Sequence, residues 1–139
     1  MRYIGLFMSV LFVLATIMAC VDDATIQEEI AESESPAIYI DAVSLFNEYE
    51  ANAIAAEAKF QGRTVIVTGV VTEIDEIFDQ AYVTLTDGDE WSWSGVDCYF
   101  ADENRPQLAQ LTKGQEITLK GQVDEYNMSV DVRGCTIQQ

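Results

Sequence analysis

The chain has 139 residues, which is enough for a targeting segment and one modest domain. Its 7 Lys and Arg residues stand against 24 Asp and Glu residues, and the formal net charge of −17 disfavours partners with phosphate backbones. The sequence contains no His, which excludes His-based metal sites, His general bases and Ser-His-Asp triads.

Residues 1–19 are predicted to be a lipoprotein signal peptide. Arg2 supplies the one positive charge, and the uncharged run that follows to Ile17 is too short for a membrane-spanning helix. The segment Ile17–Cys20 resembles a bacterial lipobox, which implies cleavage after Ala19 and acylation of Cys20. Membrane lipid is therefore the first partner that we expect. The alternative is an ordinary signal peptide with an incidental cysteine, or an uncleaved anchor helix.

The residues directly after Cys20 help to predict in which membrane the lipid anchor lies. An Asp directly after the cysteine would resemble the inner-membrane retention signal of Gram-negative bacteria, but Val21 occupies that place. We therefore expect a lipid anchor in the cell envelope and, in a Gram-negative host, in the outer membrane facing the periplasm. Residues 20–40 are predicted to be the lipidated cysteine and a flexible acidic linker, closed by Pro36, with too few large apolar residues for a core.

The folded domain is predicted over residues 41–139 and begins with a helix. Asp41 is a suitable N-cap and Gly62 a natural stop, so one helix is expected from about Asp41 to Phe60. Apolar residues fall on one stripe at helical spacing: Leu45, Tyr49, Ala53, Ala56 and Phe60. Such a stripe is typical of core packing.

After Gly62 the pattern becomes β-branched and alternating, which predicts strands. Five are expected, with a short helix at Asp102–Leu111 between the third and the fourth: Thr64–Ile77, Ala81–Thr86, Trp91–Phe100, Glu116–Tyr126 and Met128–Ile137. The turns between them include Asp87-Gly88 and Lys113-Gly114. This order predicts a mainly β fold with an N-terminal helix, namely a five-stranded OB-fold Greek-key barrel. Gly69 and Gly121 would let the first and fourth strands bend.

Several short blocks, in order, resemble a bacterial family described as tRNA anticodon-binding-like (tRNA_anti-like) OB-fold domains. The blocks are Tyr49–Asn52, Gly62–Val65, Val67–Val71, Tyr82–Leu85, Cys98–Phe100, Leu111–Gln115 and Gly134–Ile137. The resemblance covers about residues 41–137 and implies an OB-fold in a small exported or lipid-anchored protein. The family name records a similarity of fold and does not imply tRNA binding.

The remaining cysteines, Cys98 and Cys135, fall in the third and fifth predicted strands. These strands approach each other where an OB barrel closes, so we predict a disulfide between them in an oxidising compartment. Two buried reduced thiols are the alternative. A redox role is less well supported, because there is no C-x-x-C motif and no basic neighbour.

Trp91, Trp93 and Tyr99 are candidate ligand-facing residues, since OB-folds bind through aromatic side chains in this region. A bulge at Gly95 would instead turn both tryptophans towards the core or the barrel mouth, and we favour that packing role. The nearby acidic residues Asp87–Glu90 would repel phosphates, so nucleic acid is not an expected partner. The same four residues lack the spacing of a calcium loop.

We predict no catalytic residues, no cofactor and no metal site. The leading hypothesis is a non-enzymatic OB-fold module that binds a protein or small molecule of unknown identity. Its binding surface would be the barrel face with the loops around Ile74–Gln80 and Asp124–Met128. Two alternatives remain: an envelope protein that binds a small ligand or cation through acidic loops, and nucleic-acid or oligosaccharide binding by analogy with other OB-folds.

Overall fold

The structure is a computed structural model that describes residues 35–139, except residues 90 and 94. The predicted signal peptide, Cys20 and most of the predicted linker therefore lie outside the described residues. In chain order the elements are β1 (Ile38–Asp41), α1 (Ala42–Ala51), α2 (Ala53–Phe60), β2 (Thr64–Ile77), β3 (Gln80–Thr86), β4 (Val96–Tyr99), a 3-10 turn (Asp102–Asn104), α3 (Arg105–Leu108), β5 (Glu116–Asn127) and β6 (Ser129–Gln138).

The strands form the predicted OB-fold barrel with one strand added. Their order is β1-β2-β3-β4-β6-β5, and the pairing of β2 with β5 closes the barrel. The added strand is β1, which pairs in parallel with the first half of β2, so that Ile38 lies opposite Val65. Within the described residues, the first regular element therefore begins at Ile38, three residues before Asp41, where the helix was expected to begin. The signal was weak because β1 has only four residues, in the sequence IYID.

The predicted single helix is two helices. Asp41 does cap α1, since the Ser44 backbone N–H donates to its Oδ1 at 2.8 Å. At Asn52 the backbone turns extended (φ −163°), and the Asn52 side chain accepts a hydrogen bond from the Ala55 N–H at 3.1 Å. The prediction of one continuous helix was wrong because Asn52 serves as a second N-cap, a role its short side chain favours over a mid-helix position. The apolar stripe still packs as expected, with Leu45, Tyr49, Ala56 and Phe60 buried.

Gly69 performs the predicted bend in β2. This strand pairs with β5 over Thr64–Val70 and with β3 over Val70–Ile77, so it changes partner directly beside Gly69. A Cβ at Gly69 would lie 2.9 Å from the Leu85 Cβ and 3.0 Å from the Ala42 Cβ. Glycine is therefore needed both for the bend and for the close approach of β3 and α1.

The third strand was predicted to begin at Trp91, which is too early. The strand β4 covers only Val96–Tyr99, and the described residues between Thr86 and Val96 belong to no strand. The predicted helix after it is present as the 3-10 turn and α3, and the turns at Asp87-Gly88 and Lys113-Gly114 are confirmed by positive φ at both glycines. The buried apolar residues of the described strands and helices, including those of α1 and α2, form one core cluster. None of the helices within residues 35–139 is long and apolar enough to cross a bilayer.

Candidate functional site

An open groove runs over the outer face of β3 and β4. It has a volume of about 600 Å³, within the range of ligand-binding sites in proteins. Its walls come from four connections: the β2–β3 hairpin, the β3–β4 connection, the connection between α3 and β5, and the β5–β6 turn. The lining side chains used below are Glu73, Ile77, Tyr82, Thr84, Asp89, Trp93, Asp97, Tyr99, Lys113, Met128 and Ser129.

Strand alternation explains which residues form the groove floor. In β3 and β4 the residues Val83 and Cys98 are buried in the core, so their neighbours along each strand face outwards. Tyr82 lies directly opposite Tyr99, and the ring centroids are 5.7 Å apart. Thr84 lies opposite Asp97 in the same way. The floor is therefore an aromatic pair beside a hydroxyl–carboxylate pair.

The Asp97 carboxylate is held in place by two hydroxyl groups. Thr84 Oγ1 donates to Asp97 Oδ1 and Ser129 Oγ donates to Asp97 Oδ2, each at 2.6 Å. No cation forms an ion pair with Asp97 among the described residues; the ion pairs there involve only Lys59, Arg105 and Arg133. The groove floor thus presents a fixed carboxylate without a counter-ion.

The field at the groove floor is negative. Desolvation, followed by the charges of Glu73, Asp75 and Asp97, raises the pKa of Tyr82 to about 12. Each of these neighbours is an acid, so each disfavours a phenolate at this position. A positive ligand group would meet attraction here and an anion would meet repulsion.

Asp131 and Arg133 are two further charged residues beside the groove. Asp131 lies next to Asp97 across the parallel β4–β6 pairing. Burial, and then the negative charge of Asp97, raise the pKa of Asp131 to about 6. The Arg133 guanidinium lies 4.6 Å from the centroid of the Tyr99 ring and donates from Nε to Asp124 at 2.6 Å. A guanidinium group of the chain itself thus already lies over one face of the Tyr99 ring.

The rim carries large apolar side chains that are open to solvent. Of the residues that line the groove, Trp93 is 88% exposed, Met128 80% and Ile77 about half. Phe78, the chain neighbour of Ile77, is 97% exposed. Phe78 lies at the tip of a two-residue hairpin turn in which it has φ 50° and Asp79 has φ 64°. This left-handed conformation is uncommon for an aromatic residue, and such residues are often found at functional sites. Large apolar side chains exposed together along a groove are typical of an interaction site.

The tryptophans do not pack as we favoured. Trp91 and Trp93 are both exposed, so the expected core packing was wrong, although Trp93 and Tyr99 do line the groove. Local hydrogen bonds explain the difference, because the Asp87 side chain accepts from the Asp89 N–H and the Asp89 side chain accepts from the Trp91 N–H, both at 3.0 Å. These side chains hold the backbone in turns and compete with strand pairing, so β4 starts only after Gly95.

The two cysteines of the domain are buried next to each other. The structure has them as free thiols, with Cys135 Sγ donating to the Val132 carbonyl at 3.3 Å. A hydrogen bond with Cys135, together with burial, raises the pKa of the Cys98 thiol well above its usual range, which disfavours a reactive thiolate. Gly121 leaves room for Cys135, since a Cβ there would lie 2.9 Å from its Sγ. The disulfide stays a prediction, and Cys20 lies outside the described residues.

Part of the groove floor was not predicted from the sequence. Tyr82, Asp97 and Ser129 were not singled out, and Lys113 was noted only as part of a turn. The alternation of YVT and VDCY in neighbouring strands was the signal, since it places Tyr82 and Asp97 on the face opposite to the core. To pair two strands in register from one sequence, the length of the loop between them must be known. The third strand was predicted to begin too early, so the loop before it was predicted too short.

The described residues offer no metal centre. Within residues 35–139, apart from positions 90 and 94, no three Cys, Asp or Glu side chains converge as metal ligands would. The groove carboxylates instead lie apart on different elements, among aromatic rings. Such an arrangement suits an extended ligand with several contact groups.

Comparison with known proteins gives one family and several structural neighbours. The profile of the tRNA_anti-like family matches residues 1–136. No curated protein matches the sequence significantly. A lipoprotein of Klebsiella pneumoniae, to which nucleic-acid binding is provisionally ascribed, has a similar structure (TM-score 0.61, 18% identity), with 81% of this chain and 97% of that one covered.

Two further neighbours are more distant. An OBody bound to hen egg-white lysozyme aligns with a TM-score of 0.46 and 18% identity, over 58% of this chain and 86% of the OBody. Asparaginyl-tRNA synthetase from Pyrococcus horikoshii aligns with a TM-score of 0.46 and 14% identity, over 58% of this chain and 20% of the synthetase. At these identities the similarity is one of fold.

Proposed function

The chain belongs to the tRNA_anti-like family, and we propose that it is a lipid-anchored OB-fold binding module of the bacterial cell envelope. The groove over β3 and β4 is its ligand site. The observation that carries this proposal is the convergence of exposed Ile77, Trp93 and Met128, each from a different connection, around the floor formed by Tyr82 and Tyr99. OB-folds bind ligands on this face of the barrel, between the loops that flank it.

The groove has the features of a binding site more than of a catalytic one. The Asp97 carboxylate accepts hydrogen bonds from two hydroxyl groups, and the Asp89 carboxylate accepts one from the Trp91 N–H. The sequence also has no His to act as a general base. Its rim offers rigid aromatic side chains, which supply much of the binding energy at interfaces. A non-enzymatic role therefore fits the chemistry of the groove.

The anchor rests on the lipobox-like segment that ends at Cys20. Two or three acyl chains there would hold the chain stably on a membrane, and the acidic residues 21–37 would keep the domain away from an anionic surface. With Val21 after the cysteine, the outer membrane of a Gram-negative host is the proposed location. Cys20→Ala should abolish metabolic incorporation of a palmitate analogue and release the chain from the membrane fraction. Incorporation that persists in this variant would contradict the anchor.

The ligand site is tested by a photo-crosslinking amino acid placed at Trp93, in cells that make the protein. Tyr39 is the matched control, since it is also an exposed aromatic residue (79%) but lies on β1, outside the groove lining. We expect discrete crosslinked products at position 93 that are missing at position 39. Identical products at both positions, or none at position 93, would contradict the proposal.

Nucleic acid is a second candidate ligand, because the Tyr82–Tyr99 pair offers a surface on which bases could stack. The Klebsiella neighbour carries the same provisional ascription. The charges oppose it, since Glu73, Asp89 and Asp97 would face the phosphates. Binding of single-stranded DNA at low salt, where attraction to any basic group is strongest, would favour this candidate over a protein ligand.

A further inference from the structure

We propose that the groove binds an extended, basic segment of a partner protein, with Arg or Lys side chains over the aromatic floor and apolar side chains against the rim. This inference rests on the proposed function and names the chemical class of the ligand. It is carried by three properties of the groove: its unbalanced carboxylates, its aromatic faces and its apolar rim.

The first property is the charge imbalance. Three carboxylates line the groove, from Glu73, Asp89 and Asp97, against one ammonium group, from Lys113. None of the three carboxylates is in an ion pair within the described part of the chain. Like charges that line one groove without counter-ions make its potential negative, and a cationic ligand would be attracted there. The formal net charge of the whole sequence, −17, strengthens the attraction at long range.

The second property is an aromatic surface suited to cations. Arg133 already lies over the Tyr99 ring at 4.6 Å, held there by Asp124. The Tyr82 ring beside it and the exposed Trp93 indole present further π faces close to Glu73 and Asp97. A guanidinium or ammonium group placed between such a face and a carboxylate gains from both interactions. The chain itself thus provides an example of the contact that we propose for the ligand.

The third property, the apolar rim, favours a peptide over a small cation as the ligand. The groove holds about 600 Å³, and it is lined by large exposed apolar side chains from three separate parts of the chain: Ile77, Trp93 and Met128. A free polyamine would satisfy the carboxylates but leave this rim exposed to water, while a peptide with basic and aromatic side chains would cover both. A metal ion fits less well still, because no three acidic or thiol groups converge within the described residues.

Calorimetric titration of the full chain in a neutral detergent tests the proposal. The probe is a short peptide of alternating Arg and Ser with one Trp, compared with the same peptide carrying Glu in place of Arg, with spermine, and with a single-stranded DNA oligonucleotide. We expect the Arg peptide to bind, more tightly at low salt, and each of the other three to bind at least about ten-fold more weakly. Equal or tighter binding of any of the three would overturn the proposal.

Variants locate the site. Glu73→Gln with Asp89→Asn removes two groove charges, and Glu57→Gln with Glu103→Gln removes two exposed charges outside it. The first pair should weaken Arg-peptide binding by about ten-fold or more and the second pair by less than about two-fold. Equal effects of the two pairs would mean that net charge alone attracts the peptide, and the proposal would fail.

Trp93 provides a test that does not depend on charge. Trp93→Ser should weaken binding of the Arg peptide, while Tyr39→Ser should leave it unchanged; both side chains are exposed, so neither change removes core packing. No effect of Trp93→Ser would overturn the proposed contact. If no basic peptide binds while crosslinks at position 93 persist, this inference fails and the groove remains the ligand site. If the crosslinks are also missing, both fail.

Discussion

Replacement of Asp131 by Asn should stabilise the folded chain at neutral pH and change nothing in acid. Burial, and then the negative charges of Asp97, Glu125 and Asp124, raise the pKa of Asp131 from about 3.8 to about 6, while Arg133 opposes the shift. Between these pH values the folded state binds more protons than the unfolded state, so the contribution of this residue to stability falls as pH rises. Above about pH 6 the ionised Asp131 lowers the stability of the folded chain by its full amount.

The size of the effect follows from the shift. A shift of about two pH units corresponds to about 3 kcal/mol as an upper limit. The attraction of Arg133, which lies 3.8 Å from Asp131, is already included in this shift, and solvent screening at a partly exposed site reduces the effect further. A net gain of about 1–2 kcal/mol in the free energy of unfolding is therefore expected at pH 7.5.

Urea unfolding of wild type and variant from pH 3.5 to pH 8 measures this directly. The two curves should coincide near pH 3.5 and separate steadily up to about pH 6. Glu103→Gln, an exposed residue outside the groove, should show no such separation. A variant that is less stable than wild type at pH 7.5, or more stable by the same amount at every pH, would refute the electrostatic reasoning.

Three further predictions concern the fold. Gly121→Ala would place a Cβ 2.6 Å from the Val132 Cγ1, so we expect a loss of about 2–3 kcal/mol in urea unfolding; a loss below about 0.5 kcal/mol would contradict the close approach. Asn52→Ala removes the second helix cap and should cost about 1 kcal/mol, most of which Asn52→Ser should restore; equal losses in both variants would argue against capping. In protein isolated from the envelope, Cys98 and Cys135 should resist thiol labelling in urea until reduced, and reduction should lower the unfolding free energy by about 4 kcal/mol; immediate labelling of both would mean that no disulfide forms.

Much of the fold could be predicted from local patterns. The alternation in the strands, the glycine at the bend of β2 and the turn dipeptides each have one dominant physical meaning, and all agree with an OB-fold. The break at Asn52 was missed because the apolar stripe runs through it without a change in period. Only the side chain of Asn52, capping Ala55, reveals that the backbone turns there.

The site was harder to predict than the fold. Trp91 and Trp93 carry an alternating pattern typical of a strand, yet Asp87 and Asp89 hold this segment in turns. Competition between side-chain and backbone hydrogen bonds is decided by small energies and by tertiary context. Tyr82 and Asp97 come together only through the register of β3 and β4, a non-local property.

The groove as ligand site is the central claim, and amide chemical-shift mapping with the Arg peptide tests it most directly. The prediction is that the shifted amides cluster at Thr84, Asp97, Tyr99 and Ser129, which line the groove, while those of α1 and α2 keep their positions. Shifts that cluster instead on the helices, or that spread evenly over all acidic surfaces, would contradict the account.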